Sequence, residues 1–118
     1  MSKTILVADD DRLLTKLLKK FLEDHGFGVL VANDGEEALL LLEQSRPDLI
    51  VLDIQMPKVN GYSFLFEMRK FERAEQIPVL ILTCKEEMEE IFRVEGVKEY
   101  IVKPVHNEVL LEKIKKHL

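Results

Sequence analysis

Short apolar runs alternate along the chain with longer stretches whose apolar positions recur at helical spacing. The pattern predicts strands over residues 4–8, 28–32, 48–52, 78–83 and 99–102, and helices over 12–25, 36–44, 62–71, 86–94 and 107–117. The third and fourth runs, Leu49-Ile50-Val51-Leu52 and Val79-Leu80-Ile81-Leu82, show no polar alternation. Strands that are apolar on both faces must be covered on both, so these two belong inside a parallel sheet sandwiched between helical layers. Strict strand–helix alternation then predicts a five-fold βα repeat, one strand and one helix at a time.

That is an α/β, doubly wound (βα)5 architecture of the flavodoxin-like kind, a five-stranded parallel sheet with helices on both faces. The strand order 2-1-3-4-5 is borrowed from that fold class rather than read from the pattern. The 118 residues amount to about one domain, and 47% hydrophobic with 33% charged residues is ordinary globular composition. A net charge of -5 argues against a nucleic-acid binder, which needs a basic face. Charges interrupt every apolar window before it reaches the length of a membrane span, so no membrane partner is expected. Met1-Ser2-Lys3-Thr4 runs straight into a strand, unlike a signal peptide, and the single cysteine, Cys84, excludes an intrachain disulfide. A cytoplasmic protein is the expectation from both.

In such sheets the chemistry gathers beyond the carboxyl ends of the strands. The first strand delivers Asp9, Asp10 and Asp11; the third, Asp53; the fourth, Thr83; the fifth, Lys103-Pro104. Carboxylates brought together raise one another's pKa and repel, and a divalent cation removes that penalty. All-oxygen ligation suits magnesium. A carboxylate beside such an ion can take up a phosphoryl group while a lysine neutralises the transferring oxygens, giving an acyl phosphate that water later hydrolyses. Plainer readings stand beside these. Asp11 is a good helix N-cap, Asp9 and Asp10 could be solvated loop acids, Thr83 a β-branched residue closing a strand, and Lys103 a surface lysine. Asp53 resists such a reading, because a loop acid gains little from following four apolar residues.

The same residues resemble response-regulator receivers of two-component signalling, and the resemblance covers essentially the whole chain, residues 1–118 as one receiver domain. Ile5-Leu6-Val7-Ala8-Asp9-Asp10-Asp11 resembles the family's first strand and acidic pair. The run Asp53-Ile54-Gln55-Met56-Pro57-Lys58-Val59-Asn60-Gly61 resembles its acceptor loop, Thr83 its switch hydroxyl, Tyr100 its switch aromatic, and Lys103-Pro104 its phosphate-contacting lysine and following proline. The resemblance implies that a phosphohistidine on a sensor histidine kinase or histidine phosphotransfer protein phosphorylates Asp53. It further implies that Asp10 and Asp53 hold Mg2+, with Asp9 acting through water and the backbone carbonyl of Gln55 completing the protein ligands. Lys103 would contact one phosphoryl oxygen and Thr83 another, and the Lys103-Pro104 peptide would be cis. The output partner, an unknown downstream protein, is not implied.

Three features depart from the family pattern. Cys84 follows Thr83 where a smaller residue is usual, and is read as a small packed residue rather than a reactive thiol. The stretch from Thr83 to Lys103 is short by about half a helical turn of about 3.6 residues, which predicts a truncated or reoriented fourth helix. Gln55 and Lys85 occupy positions that tune hydrolysis in the family. Phosphorylation is expected to draw Thr83 toward the phosphoryl oxygens and to let Tyr100 turn inward. On the first helix Leu13, Leu14, Leu17, Leu18, Phe21 and Leu22 span roughly 180° at about 100° per residue, more than the roughly 100° a core stripe needs. One flank, Leu13 with Leu17 or Leu22, is therefore expected to stay exposed for a kinase helix, with wide core packing as the alternative. The clusters around Lys85–Glu90 and Lys113–His117 read as a solvated face and as complement to a helix C-terminus, and His25 and His106 as surface residues.

Three rival readings share parts of this pattern. A haloacid-dehalogenase-type phosphatase also uses a strand-end aspartate but needs an acid two positions later, where Gln55 stands. A flavodoxin-like cofactor binder needs donors after its first strand, where three aspartates stand. A receiver-fold module that signals without phosphorylation keeps the fold but not the use of the site.

Overall fold

The computed structural model describes residues 2–71, 74–84 and 88–118. Five βα units follow one another: β1 (Thr4–Ala8), α1 (Arg12–Asp24), β2 (Gly28–Ala32), α2 (Gly35–Ser45), β3 (Leu49–Leu52), α3 (Gly61–Met68), β4 (Val79–Thr83), α4 (Glu89–Val94), β5 (Glu99–Val102) and α5 (Asn107–Lys116), with one 3-10 turn at Ala74–Gln76. The strands form one parallel sheet in the order β2-β1-β3-β4-β5, as predicted. Every residue of β3 and β4 is buried, which is why neither run alternates.

Alternate strand residues feed two cores. Leu6, Ala8, Ile50, Leu52 and Ile81 pack with Ala38 and Leu42 of α2, Phe64 and Leu65 of α3, and Phe92 of α4. Ile5, Val7, Val51, Leu80 and Leu82 pack on the other face with Leu18 and Leu22 of α1 and Leu110 and Ile114 of α5. A slip of one residue in any strand would exchange the two sets, so the register is strongly specified.

The starts of α1, α2 and α3 are set by side chains that satisfy first-turn amides. Asp11 accepts from Leu13 and Leu14, Asp34 from Glu37, and Asn60 from Ser63. Asp11 is thus the cap that its type and place predicted. Boundaries differ from the sequence reading by small amounts with clear causes. β4 begins at Val79 because Pro78 has no N–H, though its carbonyl still accepts from Ile50 at 3.0 Å. α3 ends at Met68 rather than residue 71, its last turn tightening into bonds such as Phe71 N to Met68 O. α4 is short, as the spacing required; its predicted start at residues 86–87 lies outside the described residues, as does Lys85. Its far end is clamped by Arg69, whose guanidinium donates to the Glu95 carbonyl at 2.9 Å and pairs with the Glu95 carboxylate at 2.6 Å. At the amino edge of β5, Glu99 gathers His117, Lys113 and Lys116 at 2.7, 3.1 and 3.7 Å, so the basic cluster of α5 ties that helix to the sheet.

Two glycines let backbones meet where the site is built. A Cβ at Gly35, the first residue of α2, would fall 1.7 Å from the Val59 carbonyl oxygen; one at Gly61 would fall 2.6 Å from the Asp53 carbonyl. The loop after β3 is therefore pressed between α2 and the start of α3. Because the obstacle is backbone, Gly35→Ala should lower unfolding stability by about 2 kcal/mol or more. Urea denaturation should show a reduced midpoint with little change in slope.

Candidate functional site

Backbone pairing carries β1, β3 and β5 one residue beyond their formal ends and presents the next side chain at the carboxyl edge. The Asp9 amide donates to Ala32 O at 3.0 Å, Asp53 to Ala8 O at 2.9 Å, and Lys103 to Thr83 O at 2.8 Å. Residues far apart in sequence thereby converge. One carboxylate oxygen from each of Asp9, Asp10 and Asp53 lies within 4.8 Å of the others, and this is a group that could hold a metal ion. Asp9 and Asp53 are only 3% and 6% exposed and Thr83 is fully buried, whereas Asp10 faces solvent.

The Lys103 ammonium sits among these acids, 2.7 Å from Asp9 Oδ2 and 3.6 Å from Asp53 Oδ2. The remaining oxygen of Asp9 accepts from the Asp11 amide at 3.0 Å, and Asp53 Oδ1 accepts from the Gln55 amide at 3.3 Å. Asp10 has no side-chain hydrogen bond or ion pair among the described residues. Burial raises the pKa of Asp53, and the Asp9 charge raises it further; Lys103 and hydrogen bonds from the Thr83 hydroxyl and the Gln55 amide pull the other way without cancelling the rise. The pKa of Lys103 is raised: its burial lowers it, but the hydrogen bond to Asp9 and the two aspartate charges outweigh that loss. Lys103 thus remains a cation. The donor set is all oxygen, two of its carboxylates are partly desolvated, and one is unpartnered. That chemistry fits a hard divalent cation holding one or two carboxylates and several waters.

Five of the predicted site residues, Asp9, Asp10, Asp53, Thr83 and Lys103, are brought together, and the backbone amide of Gln55 lies against the Asp53 carboxylate. The Lys103-Pro104 peptide is cis. Tyr100 is half-buried on β5, its ring centroid 6.1 Å from that of Phe92; because Tyr100 pairs with Ile81 and Val102 with Thr83, Tyr100 and Thr83 are diagonal neighbours on one sheet face. His25 and His106 are exposed, as expected.

One expectation is corrected, and on α1 one of two alternatives is selected. Cys84, read as a packed residue, is exposed: β4 ends at the fully buried Thr83, and Cys84 is the first residue beyond the sheet. On α1, Leu13 and Leu17 are 66% and 57% exposed, but Leu22 is fully buried in the core and does not belong to that flank. Asn33 is a site neighbour that sequence pattern does not single out. It lies at the end of β2 and donates to the Asp9 carbonyl at 2.9 Å, yet Asn33-Asp34-Gly35 reads in sequence as an ordinary turn.

A response regulator receiver domain model matches residues 5–115. The chain belongs to the response-regulator receiver family. It is 45% identical over 113 residues to the transcriptional regulatory protein CpxR of Klebsiella pneumoniae, covering 94% of this chain and 47% of that protein. It is also 42% identical over 106 residues to the alkaline phosphatase synthesis transcriptional regulatory protein PhoP of Bacillus subtilis, covering 88% and 43%. The chain therefore spans about half the length of these relatives. Among solved structures, the chemotaxis protein CheY4 of Vibrio cholerae superposes with a TM-score of 0.93 at 29% identity over all of both chains. The response regulator TrrA of Thermotoga maritima, solved in complex with Mg(2+)-BeF, superposes with a TM-score of 0.87 at 34% identity over 98% of this chain and 99% of that one. Receivers of this family are phospho-accepting modules of two-component systems rather than conventional enzymes, and they work with sensor histidine kinases or phosphotransfer proteins. No helix among the described residues of this receiver is long and apolar enough to cross a membrane.

The raised pKa of Asp53 fixes the sign of a stability effect. A carboxyl that holds its proton more tightly when folded destabilises the fold once pH rises above its unfolded value, 3.8 for Asp, and most fully above its folded pKa. Asp53→Asn should therefore raise the melting temperature of the metal-free receiver at pH 7. The difference should shrink as pH falls toward 3.8, as calorimetry across that range will register.

Proposed function

We infer that residues 1–118 act as one magnesium-dependent, phospho-accepting receiver whose acceptor is Asp53. The observation that supports this most is the meeting of Asp53, Asp9, Asp10 and Lys103 at one sheet edge, with a buried Thr83 hydroxyl on the acceptor. Asp10, Asp53 and the backbone carbonyl of Gln55 are the proposed direct ligands, with Asp9 acting through water. Bound there, Mg2+ would offset the mutual repulsion of the carboxylates and neutralise charge on the transferring oxygens. The Asp53 carboxylate attacks phosphorus; its O–P bond forms as the P–N bond of the donor phosphohistidine breaks, and the electron pair leaves with the imidazole, which takes a proton. Lys103 is freed from Asp53 to meet one phosphoryl oxygen, and Thr83 exchanges its bond to the carboxylate for another.

Thr83 and Tyr100 share a sheet face, which supports the further reading that a shift of the hydroxyl opens space for the ring. The signal would then be a changed surface over β4, α4 and β5, offered to a downstream protein in the cytoplasm. The exposed pair Leu13 and Leu17, one turn apart beside the acidic loop, supports docking of a donor helix on α1.

Incubation with acetyl phosphate and Mg2+ should add one phosphoryl group, a mass increase of about 80 Da on a single carboxylate oxygen, and intact-mass spectrometry should find none on Asp53→Asn or without metal. An unmodified parent protein under every donor would favour a module that signals without phosphorylation. Leu17→Gln should slow transfer from a phosphohistidine donor about ten-fold or more while leaving acetyl phosphate labelling unchanged, since only the former needs the helix contact. Equal rates from the protein donor would remove α1 as the dock.

A further inference from the structure

The acidic pair at the end of β1 is held from the β2 side by a small polar network. The Asn33 amide has two N–H donors, and both are used: one meets the Asp9 carbonyl at 2.9 Å, the other Thr15 Oγ1 at 3.1 Å. Its oxygen accepts from Arg12 at 3.3 Å, and its backbone amide donates to Glu37 Oε1 at 2.7 Å. Thr15 is buried in α1, and its own proton goes to the Arg12 carbonyl at 3.2 Å. The orientation of the amide is therefore determined: turned over, its oxygen would face the Asp9 carbonyl and its NH2 would face the Arg12 guanidinium.

The bond to the Asp9 carbonyl matters because that carbonyl belongs to the peptide joining Asp9 to Asp10. Asp9 is secured four ways: through its amide to Ala32, its carbonyl to Asn33, and its carboxylate to Lys103 and the Asp11 amide. Asp10 has no side-chain partner among the described residues, so the plane of the preceding peptide is its main orienting restraint. We propose that Asn33, braced by the buried Thr15 hydroxyl, is a positioning residue that aims the Asp10 carboxylate at Asp53 and so sets the affinity of the site for its divalent cation. This rests on the magnesium-binding reading above. It assigns a metal-tuning role to a residue on the neighbouring strand end that lies outside the proposed ligand set.

The test is the Mg2+ dissociation constant of the metal-free receiver, read from amide chemical shifts of the Asp9–Asp10 and Asp53 loops, with thermal melts recorded without metal. Asn33→Leu removes both donors at similar volume, and Thr15→Val removes the brace without changing the shape of a buried side chain. Loss of a group that orients a ligand weakens metal affinity by about ten-fold or more, so Asn33→Leu should bind Mg2+ about ten-fold more weakly and Thr15→Val should shift in the same direction by less. The double variant should be no weaker than Asn33→Leu, because the two act through one chain of bonds. A purely structural role would lower the melting temperature and leave the affinity of the folded protein unchanged. Should Asn33→Leu fail to fold, Thr15→Val carries the test alone. Affinities within two-fold of the parent in the folded variants would overturn the inference while leaving the magnesium site intact. A parent whose shifts ignore Mg2+ would remove that site and this inference with it.

Discussion

One ammonium group among three carboxylates is the interaction on which the functional end of this receiver depends. Lys103 reaches Asp9 at 2.7 Å and Asp53 at 3.6 Å, and both acids are almost wholly buried. Two partly desolvated carboxylates cannot both stay charged beside each other without compensation, and one lysine compensates incompletely: Asp53 still has a raised pKa. The fold therefore holds an unrelieved anionic cleft, in which an added cation or a transferred phosphoryl group would change the local electrostatic balance. A site that was already neutral would have no such response.

The sheet makes this arrangement rigid. Asp9, Asp53 and Lys103 are each hydrogen-bonded through the backbone to the neighbouring strand one residue past its end, so their spacing follows from register rather than from loop conformation. Register in turn follows from the two interleaved cores, which would be exchanged by a one-residue slip. Apolar periodicity and site geometry are in this sense the same constraint, expressed at the middle and at the edge of the strands.

That link explains what could be read from sequence. The unbroken runs at 49–52 and 79–82 announced buried parallel strands, and the acids, threonine and lysine at the ends of β1, β3, β4 and β5 could be placed at one edge without knowing any contact. Asp11 as a cap and the short α4 were legible for similar reasons, one from residue type and the other from spacing. Other features depended on directions that spacing does not give. The side chain of Cys84 turns outward just where the strand ends, and Leu22 sits at the edge of a wide apolar arc whose inner and outer flanks only packing separates. Asn33 carries no signature at all, because its importance lies in which carbonyl its amide meets.

The central claim, that the cleft's self-repulsion is what a bound cation relieves, is most directly tested by titrating the Asp53 carboxyl carbon by NMR with and without saturating Mg2+. Without metal its pKa should lie above the ordinary aspartate value, and with metal it should fall below that value. A pKa unmoved by magnesium, or one already below the ordinary value without it, would contradict the account.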